Sequence, residues 1–202
     1  MKAGACVAVV AAVLAGLAGC SNQVDVRTAH GYAHAGYQAI QAGEWKLARQ
    51  NFDKAIANAE AGKARPRQLA VLKYEYGRVS GVLCDWDGAE RALTEASVLD
   101  KGKGGTAMGA LHELGRLHLD RGRFVEARPY YDKVLPLFKA AEAETKDPSR
   151  FADFLEEYAV VLSRTGAASD AALQSERVSK IRKTISSGTA RQERTPYGTR
   201  CL

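Results

Sequence analysis

The chain has 202 residues, 46% of them hydrophobic but only 7% aromatic, with a formal net charge of +6. That length suits one domain or one short repeat array, and an Ala- and Leu-rich, aromatic-poor composition fits packed helices and argues against a β-sandwich. The positive charge is local, because Arg177, Lys180, Arg182, Lys183, Arg191, Arg194 and Arg200 face a single acid, Glu193, between Arg177 and Leu202.

At the N-terminus, Met1-Lys2 is a short positive start, Ala3 to Gly19 is an uncharged run of 17 residues, and Leu17-Ala18-Gly19-Cys20 closes it. Such a start reads as a removable export segment; a spanning helix needs about 20 apolar residues, usually with firmer flanks. The tetrapeptide resembles the lipobox of bacterial lipoproteins. The resemblance implies loss of residues 1–19, a diacylglycerol thioether on Cys20 and an acyl chain on its new amino group. Several chains at about 0.8 kcal/mol per buried CH₂ hold a protein lastingly on a membrane. It also implies the bacterial cell envelope, and Ser21 rather than Asp after the cysteine favours the outer membrane, facing the periplasm. Nucleic acid is not an expected partner there. Residues 20–23 are then the lipidated N-terminus, with helical character from Val24.

From Val24 to Ile185 one pattern recurs. Leu111, Leu114, Gly115 and His118 keep helical spacing before Gly122, and Phe124, Ala127, Tyr131 and Val134 keep it after, so two helices reserve a face for each other. Turn residues stand at Gly43, Cys84, Gly122 and Gly166. Seven before each are Gly36, Gly77, Gly115 and Ala159; two after are Trp45, Trp86, Phe124 and Ala168; five after are Ala48, Ala89, Ala127 and Ala171; nine after are Phe52, Leu93, Tyr131 and Ser175. These columns resemble the tetratricopeptide repeat. The turns lie 41, 38 and 44 residues apart, beyond the usual ~34, which is similar to the longer repeats of kinesin light chains. The expected fold is all-α, an α-solenoid of about four helix-turn-helix units over 24–185. Ala168 and Ser175 mark the fourth unit as a degenerate cap. Arg65-Pro66, Lys101 to Gly105 and Lys146-Asp147-Pro148 punctuate the joints, and Pro136 predicts a kink or break in the second helix of unit three.

In the resembling family the first helix of each pair lines the concave side, through residues ten, six and three before the turn. Those columns place Tyr37, Tyr74, Arg78, His112 and Arg116 along one groove. Two arginines in adjacent units suit a carboxylate or an acidic, partly aromatic peptide, since guanidinium forks bind carboxylates bidentately; the other reading is a solvated helix face. The lysine and asparagine placement of the chaperone-binding carboxylate clamp is absent.

No nucleophile, base and orienting acid stand together, so no catalytic residue, metal or cofactor is assigned, and the chain does not read as an enzyme. His30 and His34 are four apart but lack a third ligand. His118 reads as a hydrogen-bonded core histidine. Asp85-Trp86-Asp87-Gly88 opens like a calcium loop without the later ligands. With Cys6 lost and Cys20 lipidated, Cys84 and Cys201 remain; either they bond, which an oxidising periplasm permits, or Cys84 is buried and Cys201 is free. The expected function is a membrane-anchored adaptor that holds a protein or peptide partner in its groove. The alternative is an envelope lipoprotein whose basic tail, 186–202, meets cell-wall or lipid anions.

Overall fold

The structure, a computed structural model, describes residues 5–100, 105–185 and 194–201, with side chains from Gln23 onward. Its organising element is the turn. Gly43, Cys84, Gly122 and Gly166 take φ of 74°, 68°, 69° and 82°. Past each, the amides of Glu44, Asp85, Arg123 and Ala167 donate to the carbonyls of Ala39, Ser80, His118 and Leu162 at 2.8, 2.9, 2.9 and 2.9 Å. This bond, five residues back, satisfies a carbonyl that the ending helix leaves open.

Around those turns the described residues form nine helices: α1 (Ala5–Gln41), α2 (Trp45–Ala61), α3 (Pro66–Val82), α4 (Trp86–Leu99), α5 (Thr106–Asp120), α6 (Phe124–Ala140), α7 (Ala143–Lys146), α8 (Pro148–Arg164) and α9 (Ala168–Thr184). Helices α1 and α2, α3 and α4, α5 and α6, and α8 and α9 pack as pairs, and successive pairs meet through α2 on α3, α4 on α5 and α6 on α8. This is the expected all-α solenoid of four units. The small and large columns meet inside each pair: a Cβ on Gly36, Gly77 or Gly115 would lie 2.9, 2.8 or 2.9 Å from Phe52, Leu93 or Tyr131. Ala48, Ala89 and Ala127 are fully buried beside them. In the fourth pair, Ser175 replaces the large residue, and an open cleft of about 570 Å³ lined by Ala159, Ala171, Ser175 and Val178 takes its place.

Residues 101–104 of the joint expected at Lys101 to Gly105 lie outside the described residues, and the joints on either side are capped as their sequence requires. Pro66 opens α3 after Arg65, whose amide donates to Gln68 Oε1 at 3.2 Å. Asp147 caps α8 by accepting from the Arg150 amide at 3.3 Å, with Pro148 at the first helical position. Asp85 caps α4 through Gly88 N–H at 3.0 Å, which is what its acidic turn does in place of calcium.

Two expectations change. Helix α1 begins at Ala5, not near Val24, because no proline or capping sequence interrupts the chain before the turn at Gly43. Helix α6 runs unbroken through both Pro129 and Pro136, so of the kink or break expected at Pro136 the break does not occur; both prolines sit on its exposed side, and the buried side, Ala127, Tyr131, Val134 and Phe138, holds it to the core. Among the described residues no helix is long and apolar enough to cross a membrane.

Candidate functional site on the first-helix face

The residues predicted for the groove lie on the first helices α1, α3 and α5, but two of them pack toward the paired second helices: Tyr37 meets Phe52 edge-on at 5.2 Å, and His112 meets Tyr131 and Phe138 at 5.7 and 6.0 Å. They arrive paired. Arg78 Nη1 donates to Glu75 Oε2 at 3.0 Å, and the Tyr37 hydroxyl donates to Glu75 Oε1 at 3.4 Å. Arg116 donates through Nη1 to Glu113 Oε1 at 2.9 Å and through Nε to Glu157 Oε2 at 2.9 Å. His112 Nε2 lies 2.9 Å from Glu157 Oε2, and the Tyr131 hydroxyl donates to the same oxygen at 3.1 Å. Tyr74 lies under the Arg78 guanidinium, 5.7 Å from ring centre to carbon.

This corrects the expected row of free guanidinium forks. Glu75, Glu113 and Glu157 stand nine residues before their turns, and in units two and three the arginine three positions on lies within one helical turn of its own glutamate. His112 is 3% exposed and faces Glu157, not a partner; Tyr37, at 38%, is the most open of the five.

The second correction concerns what covers the face. Residues 194–201 lie across α3, α5 and α8. Arg194 grips Asp120 with two parallel bonds of 2.7 Å and reaches Glu157 Oε1 with Nε at 3.2 Å. The Tyr197 amide donates to Asp120 Oδ2 at 2.8 Å, and its buried hydroxyl donates to Glu113 Oε2 at 2.6 Å. The Gly198 and Arg200 amides then donate to the Gly81 and Val82 carbonyls, both at 3.0 Å. Cys84 and Cys201 are disulfide-bonded, with Cα atoms 5.1 Å apart and a sequence separation of 117. A cavity of about 20 Å³ remains beneath the tail, lined in part by Ile40, Trp45 and Arg78.

The electrostatics follow from burial and pairing. Burial pushes the Glu75 carboxyl up, more than Arg78 pulls it down. Burial would also raise Glu113 and Glu157, but Arg116 and Arg78 around the first, and the His112 hydrogen bond and Arg116 around the second, hold both below the usual carboxylate range. Burial, then Arg116, pushes His112 down from 6.5, so a neutral ring donates its Nε2 proton to Glu157. Burial and the Glu75 carboxylate push the Tyr37 hydroxyl up to about 12.

Part of the charge of the C-terminal region is paired within the fold, while Lys183 and Arg200 are exposed. Arg177 pairs with Glu144, Lys180 with Glu176, Arg182 with Asp153 and Glu156, and Arg194 with Asp120; Arg191 lies outside the described residues. Cys20 lies within α1, among residues whose side chains are not described. His118 is buried and stacks on Tyr130 at 5.5 Å, but its Nδ1 has no hydrogen-bond partner among the described residues, unlike the bonded histidine expected. His30 and His34 are exposed, and no metal-holding group of His, Cys, Asp or Glu occurs among the described residues. The residues that sequence reasoning missed are Glu75, Glu113, Asp120, Glu157, Arg194 and Tyr197.

No family model matches the sequence, and no curated protein matches it. Solved structures do match. BtubC (BKLC) from P. vanneervenii aligns with a TM-score of 0.73 at 15% identity, over 82% of this chain and 67% of that one. A kinesin-light-chain-type array of nearly identical TPR-like repeats from Podosopora anserina aligns with a TM-score of 0.61 at 17% identity, over 78% of this chain and 77% of that one. At such identities the likeness is one of fold.

Proposed function

We propose that this tetratricopeptide-type solenoid is a protein-binding adaptor of the bacterial envelope, exported, lipidated at Cys20 and held on the outer membrane facing the periplasm. The observation that carries the binding reading is that the first-helix face already holds a peptide segment, the chain's own residues 194–201, through charged, aromatic and main-chain contacts. A face that binds a segment in this way is suited to presenting or exchanging segments during assembly of an envelope, pilus or secretion complex. The lipobox-like Leu17-Ala18-Gly19-Cys20 supports the anchor, and the Cys84–Cys201 bond supports an oxidising compartment.

Each half has its own test. Cells fed labelled palmitate should label the native chain and leave Cys20→Ala unlabelled; equal labelling of both removes the anchor. For the adaptor, a photo-crosslinking residue is placed either at Tyr37, on the first-helix face, or at Val125, which is 74% exposed on a second helix. A partner that crosslinks from position 37 and not from 125 supports the reading. The reverse pattern moves the interface to the second helices.

A further inference from the structure

Gly81 is the residue that the helix does not need. It lies inside α3, where alanine would be favoured by about 1 kcal/mol, yet a Cβ there would stand 2.4 Å from the Tyr197 ring and 3.1 Å from Leu117. Its missing side chain makes the slot that Tyr197 enters. Gly198 repeats the device from the other side, since a Cβ on it would come 2.7 Å from the Trp86 ring. At one end of the slot Asp120 and Glu157 receive Arg194; at its floor Glu113 receives the Tyr197 hydroxyl. Without the tail, Glu75, Glu113, Asp120 and Glu157 outnumber Arg78 and Arg116. The empty site is thus acidic, with a ring-sized slot three residues along from its acidic end.

We propose that this site recognises an Arg-x-x-Tyr-Gly segment that turns at its Tyr-Gly step, that the tail is its resident occupant held by the Cys84–Cys201 bond, and that opening the bond lets a partner's segment of the same chemistry take its place. The proposal rests on reading the first-helix face as a peptide-binding surface and names its ligand. Cys201 is exposed, so a reductant can reach the link. A dithiol opens it: one thiolate bonds to a cysteine sulfur and expels the other as thiolate, and the second thiolate releases the first. The dithiol leaves as a cyclic disulfide, and Cys84 and Cys201 each take up a proton as thiols. The freed tail still competes from within, at the high local concentration that tethering gives it, so exchange requires both reduction and a partner present in excess.

The test uses the full chain in detergent and a fluorescent peptide of sequence RTPYGTR, read by fluorescence polarisation. The oxidised native chain should not bind it. A full-length Arg194→Gln, Tyr197→Ala, Cys201→Ser variant, whose tail can no longer fill the site, should bind it saturably in the micromolar range. Changing the peptide's first Arg to Gln, or its Tyr to Ala, should weaken binding at least tenfold, and adding Gly81→Val to the protein should abolish it. A folded variant that ignores the peptide, or binds a scrambled peptide as well, overturns the proposal. Should the variant not fold, the native chain is incubated with RTPYGTRC in a glutathione redox buffer. A mixed disulfide to Cys84 should form at least tenfold faster than with the scrambled cysteine peptide, and equal rates overturn the proposal. A partner crosslinked from position 37 alongside failure here would leave the adaptor reading standing with a different ligand.

Discussion

Gly77 and Gly115 are packing requirements more than conformational ones. A Cβ on Gly77 would meet Leu93 at 2.8 Å and the Ala89 carbonyl at 3.2 Å, and one on Gly115 would meet Tyr131 at 2.9 Å, whereas Gly31 has nothing within 4 Å. Alanine at 77 or 115 should cost about 1 to 3 kcal/mol through overpacking, while Gly31→Ala, on an open stretch of α1, should gain up to about 1 kcal/mol from helix propensity. Urea midpoints separate the two, and equal shifts would mean that the helix crossings do not depend on a missing Cβ. The buried charges give a second residue-scale expectation. The folded His112 ring is pushed below 6.5 by burial, so as pH falls past that value the unfolded chain binds more protons and stability is lost. His118 is lowered by burial too and carries the same sign. Glu113 and Glu157, held below 4.5, prolong the loss at lower pH. Glu75, raised above 4.5, opposes it with stability present in acid and lost as pH rises. The urea midpoint should therefore fall between pH 7.5 and 5.5, and fall less steeply in His112→Gln. An unchanged slope would assign the effect to His118 alone.

Elements were legible in the sequence wherever a column repeated. The turn residues are left-handed in all four units, and in the first three the small residue seven before and the alanine five after make a close crossing and a fully buried contact, whereas in the fourth Ala159 and Ala171 line the open cleft. Nine residues before the turns stand Glu75, Glu113 and Glu157, a column that would have shown Arg78 and Arg116 to be already paired. Neighbouring units are also joined by a repeated stack: Arg121 at the end of α5 covers Trp86 at 4.8 Å, and Arg164 at the end of α8 covers Phe124 at 5.3 Å. This reuses the aromatic two after one turn as a platform for a guanidinium beside the next. The tail was legible only as an open choice about Cys84 and Cys201. Its contacts join residues from 37 to more than 100 apart in sequence, and a single Arg194 or Tyr197 leaves no periodic trace. The run Thr195-Pro196-Tyr197-Gly198 does make the turn that its composition suggests, with Thr199 Oγ1 donating to the Pro196 carbonyl at 2.9 Å, but composition does not say what the turn presses against.

A solenoid taken whole is held by nearest-neighbour contacts, so it can fail from one end while the other stands. Residues 194–201 break that rule here, since the one segment touches unit two at Gly81 and Val82, unit three at Glu113 and Asp120, and unit four at Glu157. The Cys84–Cys201 bond then closes a loop of 117 residues, for which chain entropy alone sets an upper figure of about 4 to 5 kcal/mol. Together they should make distant units unfold as one. Trp45 and Trp86 lie in units one and two and report on that half of the chain, while far-ultraviolet circular dichroism reports on all four. In urea the two signals should coincide for the oxidised chain. After reduction the midpoint should fall and the signals should part, because each half then answers to its own neighbours. Coincident curves in both states would mean that the stacked helices already carry the coupling, and that the tail adds stability without adding cooperativity.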